Sequence, residues 1–519
     1  MPITRRKWRI PAVIFGLLLS LLAVDQTWVH LWRIIPVGYD TTRLTGPLGK
    51  EGQVDYLAAV DQMAARGVSK DDNAAPLLIE AAGPKNFYPG SPLAAKIMQR
   101  LGMKSFTARS PSLIGFPTWV QRHPMRGLPS RHQNWNAVAG FEARLGTRPW
   151  TAEEYPVAAR WIAANRRALA LLADAAKKPH LYLPLVSPGH LLVIALLPAE
   201  RGMDSLCGVA CADAMLSVGQ RRISEALRRA TEVFRLGALL AAQPDLISFL
   251  EGLGIEDRSL RLDRAIANSG RLSAIGLRLL RGKIQRLTPP PPLVDVLNGL
   301  RLEALDEITQ ARREGLARWW FGPFQPARFS MLRVENTFVP VDYAGLLRRV
   351  NRLFDAEVAA ARLRPFRLAE ARLYALDGRW PGAKARAMPP IRLARPFFHP
   401  LAWVLDFSDP DGAAIAEIRE SAITVRQITD LYLALTIYWA RHGRYPGRLS
   451  HLSPQYLRRV PRNPFTDGPL HYAICSRGHG FSVSFAYVSR RHPDSVAPPG
   501  PVLVRVTIHG GNWPAKAAK

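Results

Sequence analysis

Acidic residues on two predicted helices are the first candidates for chemistry in this sequence. Glu225 and Glu232 are seven residues apart, so both could face one cleft, like the paired carboxylates of glycoside hydrolases. Glu251 and Glu256 lie on the next predicted helix, interleaved with leucines. Arginines three or four residues from these carboxylates are also typical of ion pairs on a solvated helix face. The pattern leaves open both a structural role and a hydrolase that uses acidic residues of the helical region, such as Glu251 and Glu256.

Metal, nucleophile and cofactor motifs do not emerge from the remaining polar residues. The 12 histidines are scattered, and Cys207 and Cys211 are four residues apart without further ligands nearby. No Gly-x-Ser-x-Gly motif and no P-loop occurs. Gly252 and Gly254 lie inside a helical pattern, which favours a helix–helix contact over a phosphate site. We therefore expect no metal and no cofactor, and we expect both cysteines to be small buried side chains.

An aromatic cluster is the strongest candidate for a binding surface. Trp319, Trp320 and Phe321 directly follow Arg318, and aromatic residues and Arg dominate the hot spots of protein interfaces. The same cluster could instead be a buried aromatic contact after the preceding helix. We predict that Arg318, Trp319, Trp320 and Phe321 contribute to a binding surface, together with arginines of the helical region.

The N-terminus has the pattern of a signal anchor. An apolar run at 10–24 follows several basic residues, with Trp8 before it and Trp28 after it. No small-residue cleavage site follows, so an uncleaved transmembrane helix at 8–32 is preferred over a cleaved signal peptide. The positive-inside rule then predicts an inner (cytoplasmic) membrane protein with the bulk of the chain extracytoplasmic.

The net charge of +29 raises the question of anionic partners. Most of the 70 basic residues are Arg, and they are spread along the chain rather than gathered in one stripe. This distribution argues against nucleic acid as a partner and is typical of a solvated or envelope-facing surface. The expected partners are the membrane, crossed once, and an envelope protein or an anionic envelope polymer.

The region between the anchor and the C-terminal tail has the pattern of packed helices. Thr151 and Glu154 form a capping box, which predicts that a helix begins at Thr151. Apolar residues at helical spacing predict one helix from about 207 to 242 and a partner helix to about 268. These helices would position the acidic residues named above.

The tail has a different pattern, in which a long helix is followed by short strands. The helix is predicted to end at His442, because Gly443 can adopt the left-handed conformation and Pro446 cannot continue a helix. Alternation of apolar and polar residues then predicts strands near 470–475, 481–487 and 502–508.

The tail resembles the globular heads of type II secretion pseudopilins. The resemblance is carried by Gly443, Tyr445, Pro446, Pro464 and Phe465, within a Gly-Arg-Tyr-Pro turn and a Pro-x-Asn-Pro-Phe-x-x-x-Pro-Leu segment. The whole chain is similar to uncharacterised, membrane-anchored bacterial proteins of planctomycete type. The resemblance implies a long helix on a three-stranded antiparallel sheet, with Tyr445 and Phe465 buried, and a role linked to secretion machinery.

These observations predict a mainly α protein with an N-terminal transmembrane helix, an α-helical extracytoplasmic region and a C-terminal α+β domain. The predicted parts are a cytoplasmic tail, the signal anchor, the helical region, the pseudopilin-like domain and a final tail, at 1–7, 8–32, 33–408, 409–511 and 512–519. The predicted function is that of a bitopic, periplasmic cell-envelope protein with a binding or assembly role. The alternative is an extracytoplasmic hydrolase.

Overall fold

The computed structural model describes most of the chain outside the N-terminus and several internal segments. The described residues are 20, 34–87, 92–107, 110–125, 128, 135–187, 192, 195, 200–314, 342–377, 412–475, 480–489 and 502–511. The chain divides into two compact units. Unit 1 comprises Met1–Ala59, Leu297–Ala359 and Leu373–Asp411, and unit 2 comprises Val60–Val296, Ala360–Arg372 and Gly412–Lys519.

The described residues are mainly helical, with one small antiparallel sheet near the C-terminus. The shorter helices of the N-terminal half are α1 (Tyr56–Ala65), α2 (Ala75–Ala82), α3 (Pro92–Arg100), α4 (Phe116–Arg122), α5 (Trp135–Leu145), α6 (Pro156–Ala164) and α7 (Arg166–Ala175). The helices that follow are α8 (Glu200–Gly219), α9 (Ile223–Ala241), α10 (Leu246–Asn268), α11 (Ala274–Gln285), α12 (Leu293–Glu314), α13 (Tyr343–Ala361), α14 (Phe366–Asp377) and α15 (Gly412–His442).

The predicted transmembrane helix needs correction. Across the residues that the structure describes, no helix is both long enough and apolar enough to cross a membrane. The longest, α15, carries Arg419, Arg426 and Asp430 along its length, and charges at this frequency exclude a continuous apolar span. The prediction of a membrane protein with a signal anchor is therefore wrong for the described chain. The predicted span at 8–32 lies outside the described residues apart from Ser20.

Unit 1 is held together by polar groups that are fully buried. The Tyr56 hydroxyl donates to the carbonyl oxygen of Thr42 at 2.8 Å, and the Asn351 amide donates to the carbonyl of Thr41 at 2.6 Å. Arg301 is only 1 % exposed, and its guanidinium lies 2.9 Å from the carboxylate of Asp355. This ion pair compensates the buried charge only in part, because the Asp355 side chain is 52 % exposed and the guanidinium nitrogens of Arg301 make no hydrogen bond with the described residues.

The core of unit 2 is an aromatic and aliphatic cluster formed by α2 to α10. Trp161 and Phe116 are both 0 % exposed, and their rings meet edge-on at 4.9 Å. The indole N–H of Trp161 donates to the carbonyl of Ile114 at 2.6 Å, so the ring is buried with its one polar group satisfied.

The structure differs from the predicted helices at two places. The stretch expected as one helix from about 207 to 242 is two helices, α8 and α9, separated by a turn in which Arg221 has φ +64°. At Thr151 the hydroxyl does accept from the N–H of Glu154, at 3.3 Å, but this bond closes a turn and α6 begins only at Pro156. Proline is favourable at the first helical position because its missing N–H is not needed there.

The sheet of unit 2 has the order β1-β2-β3, with β1 (His471–Cys475), β2 (Gly480–Ser489) and β3 (Val502–Gly511) all antiparallel. Phe481, Val483 and Phe485 of β2 are buried on the face toward α15, where Tyr432 lies 5.2 Å from Phe481. The expected arrangement of a long helix on a three-stranded sheet is therefore present.

The turn after α15 also has the expected geometry. Gly443 has φ +67° directly after the helix ends at His442. Tyr445 is 4 % exposed, and Phe465 is 7 % exposed and stacks on Tyr487 at 4.0 Å. Pro446 accepts a hydrogen bond from the Tyr472 hydroxyl at 2.8 Å, which ties the turn to β1.

Candidate functional site

A groove of about 560 Å³ lies in unit 2 between α10, α15 and β3, and we call it the β3 groove. One wall is α10, with Leu253, Leu260 and several charged residues. The other wall is the N-terminal half of α15, and β3 closes the side. Its lining is mostly apolar with a few polar groups, which is the usual composition of a ligand site.

Glu256, one of the two acidic residues predicted for a hydrolase, lies in this groove. It is 4 % exposed, and burial raises the pKa of its carboxyl to about 7 although Arg426 acts to lower it. Arg426 donates to the Glu256 carboxylate at 2.9 Å and to the carbonyl of Thr288 at 2.6 Å. This carboxyl is therefore engaged in holding α10 to α15 and is poorly placed to transfer protons to a substrate.

The second predicted acid, Glu251, does not face Glu256 across the groove. It is half-buried on the same helix and is not part of the groove lining. The other carboxylate in the groove belongs to Asp257, whose Oδ2 accepts from Arg261 Nε at 2.8 Å. The two carboxylates that line the groove thus both have guanidinium partners.

Arg264 is the groove arginine that has no carboxylate partner among the described residues. Its Nη1 donates to the Thr429 hydroxyl at 2.6 Å, and no described carboxylate lies within ion-pair distance of its guanidinium. Burial lowers the pKa of Arg264, but an arginine keeps its charge at neutral pH in a protein. A guanidinium has five N–H donors, and within the described chain one donor of Arg264 has a hydrogen-bond acceptor.

Glu225 and Glu232, the other predicted pair, form ion pairs rather than a catalytic dyad. Arg228 bonds both carboxylates, as expected for a salt-bridged helix face. Glu232 does not lie on a solvated face, because it is buried and accepts a hydrogen bond from the buried Arg229. Arg229 also donates to Asp213 at 2.9 Å. This network joins α8 to α9 and satisfies its own charges.

A smaller cavity of about 290 Å³ lies between α5, α8 and α10. Glu142 lines it, and burial together with the nearby Asp204 raises the pKa of the Glu142 carboxyl to about 7. Asp204 is paired with Arg258 at 2.6 Å. A carboxyl with a pKa near 7 can take up or release a proton at neutral pH, so Glu142 is the residue of this cavity suited to proton transfer.

The two cysteines behave as expected from the sequence. Cys207 and Cys211 are buried and free, with their Sγ atoms 3.9 Å apart on α8. The hydrogen bond between the two thiols and burial raise the pKa of Cys211. Among the described residues no cluster of three or more His, Cys, Asp or Glu side chains could hold a metal ion.

The predicted binding cluster cannot be placed against this site. Arg318, Trp319, Trp320 and Phe321 lie outside the described residues. Gly443, Tyr445, Pro446, Pro464 and Phe465 lie in the turn and loop that join α15 to β1, where they support the sheet.

Sequence reasoning missed the two residues that give the groove its character, Arg264 and His509. Asp257, Arg261 and Arg264 recur at helical spacing on α10, which indicates a common face but not an uncompensated arginine. His509 is contributed by β3, far along the chain, and nothing local to it signals a shared groove.

Comparison with known proteins gives no information on the function of this chain. No protein-family model, no curated protein and no solved structure matches this chain. The resemblance of the tail to pseudopilin heads therefore stays a prediction.

Proposed function

We propose that this chain is a binding protein and that the β3 groove takes a ligand with an anionic group beside an apolar part. The observation that carries this proposal is Arg264, a partly buried guanidinium whose described hydrogen-bond partner is a neutral hydroxyl. Asp257 and Asp263 act on Arg264 from a distance but form no ion pair with it, so desolvation of its charge is only partly offset and an anionic ligand would lower that cost.

The apolar part of the ligand is indicated by the walls of the groove. Leu250 of α10 and Val425 of α15 are half-buried, and Ile418 of α15 is 43 % exposed, so these groove residues still have apolar surface to cover. Burial of such surface contributes roughly 25 cal/mol per Å², so a ligand with a short aliphatic or aromatic segment gains from these contacts.

Binding fits this groove better than hydrolysis does. Acid–base catalysis needs a carboxyl that can reach the reacting atom, whereas Glu256 and Asp257 are held by Arg426 and Arg261. An envelope location, with an envelope protein or anionic polymer as partner, stays a prediction from the sequence.

Medium-chain carboxylates provide a direct test. Octanoate, octanol and octylamine would be titrated into the purified full chain by calorimetry, and only octanoate is expected to bind well. Arg264→Gln should weaken octanoate binding about tenfold or more, because a charged hydrogen bond contributes roughly 1.5 to 3 kcal/mol.

The matched control is Arg278→Gln, which removes the same charge from an exposed position on α11. It should bind octanoate like the wild type, and circular dichroism would verify that both variants fold. Equal binding of octanoate and octylamine, or binding that survives in Arg264→Gln, would show that the groove is not an anion site.

A further inference from the structure

The free edge of β3 forms part of the β3 groove. β3 pairs with β2 along all ten residues, from Val502 opposite Ser489 to Gly511 opposite Gly480. No other strand of the described chain pairs with it. In an antiparallel sheet, alternate residues of an edge strand point their backbone N–H and C=O groups away from the sheet. Within the described part of the chain, those groups of β3 have no strand partner.

It is the edge of β3, rather than one of its faces, that borders the groove. Four consecutive residues line it, namely Val506, Thr507, Ile508 and His509. Successive side chains of a strand point to opposite faces, so only the edge is common to all four. Ile508 is buried, whereas Thr507 and His509 are exposed. The four residues extend over about 10 Å at roughly 3.4 Å per residue.

The opposite wall leaves room for an extended chain. At Gly254 of α10 an added Cβ would meet nothing within 4 Å, although this residue lines the groove. Arg264 and Arg261 lie further along the same wall. An extended segment next to β3 would therefore direct alternate side chains either toward the apolar wall and Arg264 or toward solvent.

We infer that the ligand of the β3 groove is an extended peptide segment with an acidic side chain, which adds to β3 as a fourth strand. This inference rests on the proposed function, since the acidic side chain is the anion that Arg264 takes. The backbone of β3 supplies hydrogen bonds that do not depend on the peptide sequence, and Arg264 supplies the preference for acid. The negative charge of the segment is complementary to Arg264, the groove arginine without a described carboxylate partner.

A short synthetic peptide tests both parts. A fluorescent seven-residue peptide of alternating Val and Thr, with a central Glu, would be titrated into the full chain and followed by anisotropy. Replacement of the central Glu by Gln should weaken binding about tenfold, as should Arg264→Gln with the original peptide. Arg278→Gln serves again as the charge-matched control.

Backbone N-methylation of the peptide separates strand addition from other modes of binding. The backbone N–H groups of alternate peptide residues face β3, and those of the other residues face solvent. N-methylation of the first set blocks the hydrogen bonds to β3. Methylation of the set that faces β3 should abolish binding, and methylation of the other set should leave the affinity within about threefold of the unmodified peptide. Hydrogen exchange should show new protection of those β3 amides within 506–509 that face away from β2 when the unmodified peptide is present.

The outcomes distinguish this inference from the proposed function. If octanoate binding depends on Arg264 but the two methylated peptides bind with equal affinity, strand addition is wrong and the anion site stands. If neither octanoate nor the peptide depends on Arg264, both proposals are wrong. Protection of 506–509 that rises with protein concentration, without peptide, would assign the edge to a second copy of the chain and overturn the inference.

Discussion

Burial decides the protonation of two glutamates in unit 2. Glu142 and Glu256 both have pKa values raised to about 7, in each case chiefly by desolvation. They differ in their partners, since Glu256 is bonded by Arg426, whereas no described residue forms an ion pair or hydrogen bond with the Glu142 carboxyl. Gly208 of α8 allows this burial, because a Cβ there would lie 2.7 Å from Glu142 Oε1.

Glu142→Gln is predicted to change how stability depends on pH. The folded carboxyl titrates near about 7 and its ordinary pKa is 4.5, so the folded state binds the proton more tightly. The stability from this group is present below about pH 4.5 and is lost as the pH rises through about 7, a change on the order of 3 kcal/mol. The variant should lose this slope and be more stable than the wild type at about pH 8.

Urea unfolding at about pH 5 and about pH 8 measures this effect. Asp71→Asn is the control, because it removes an exposed carboxyl of unit 2. A wild type and Glu142→Gln with parallel pH profiles would show that Glu142 ionises normally in the folded chain.

At the scale of elements, the sequence predicted helix ends better than helix starts. The stop after His442 follows from Gly443 and Pro446, whose effects are local. The interruption at Arg221 was missed although α8 ends at Gly219, two residues earlier, because the positive φ is held by a non-glycine residue. It exists because α8 and α9 must turn back to pack against each other, which is a tertiary requirement.

The candidate site was predicted only in part, again because it depends on tertiary contacts. Glu256 was a candidate from its helical spacing, and it does lie in the groove. The role of Arg264 depends on the absence of a carboxylate partner among residues brought in from α15 and β3. Spacing along one helix cannot show which of its charges will be compensated by distant elements.

The two glycines of α10 provide a matched test of helix packing. A Cβ on Gly252 would lie 2.3 Å from the backbone N of Ala241, and a Cβ on Gly254 would meet nothing within 4 Å. Gly252→Ala should therefore destabilise the chain by about 2 kcal/mol or more, since α9 and α10 must separate. Gly254→Ala should stabilise it by roughly 0.5 to 1 kcal/mol, the usual helix preference for Ala. Thermal unfolding of the two variants measures both effects, and destabilisation of similar size in both would contradict the close contact.

At the scale of the whole molecule, the net charge of +29 has to be separated from the specific role of Arg264. A positively charged surface attracts any polyanion, with an affinity that falls steeply with salt because counterions are released. Such attraction depends on the number of charges and little on their position. A buried ion-binding contact in a groove is screened much less by salt.

This difference predicts how the chain responds to duplex DNA. Arg264→Gln and Arg278→Gln each remove one charge, so both should bind a random duplex with the affinity of the wild type within about twofold and with a common salt dependence. The octanoate affinity of the wild type should change little between roughly 50 and 200 mM salt. Anisotropy titrations with labelled DNA between roughly 50 and 200 mM salt measure the slopes. A slope reduced by about 1 in Arg264→Gln alone would mean that the groove contacts phosphate directly, and nucleic acid would then replace the acidic peptide as its ligand.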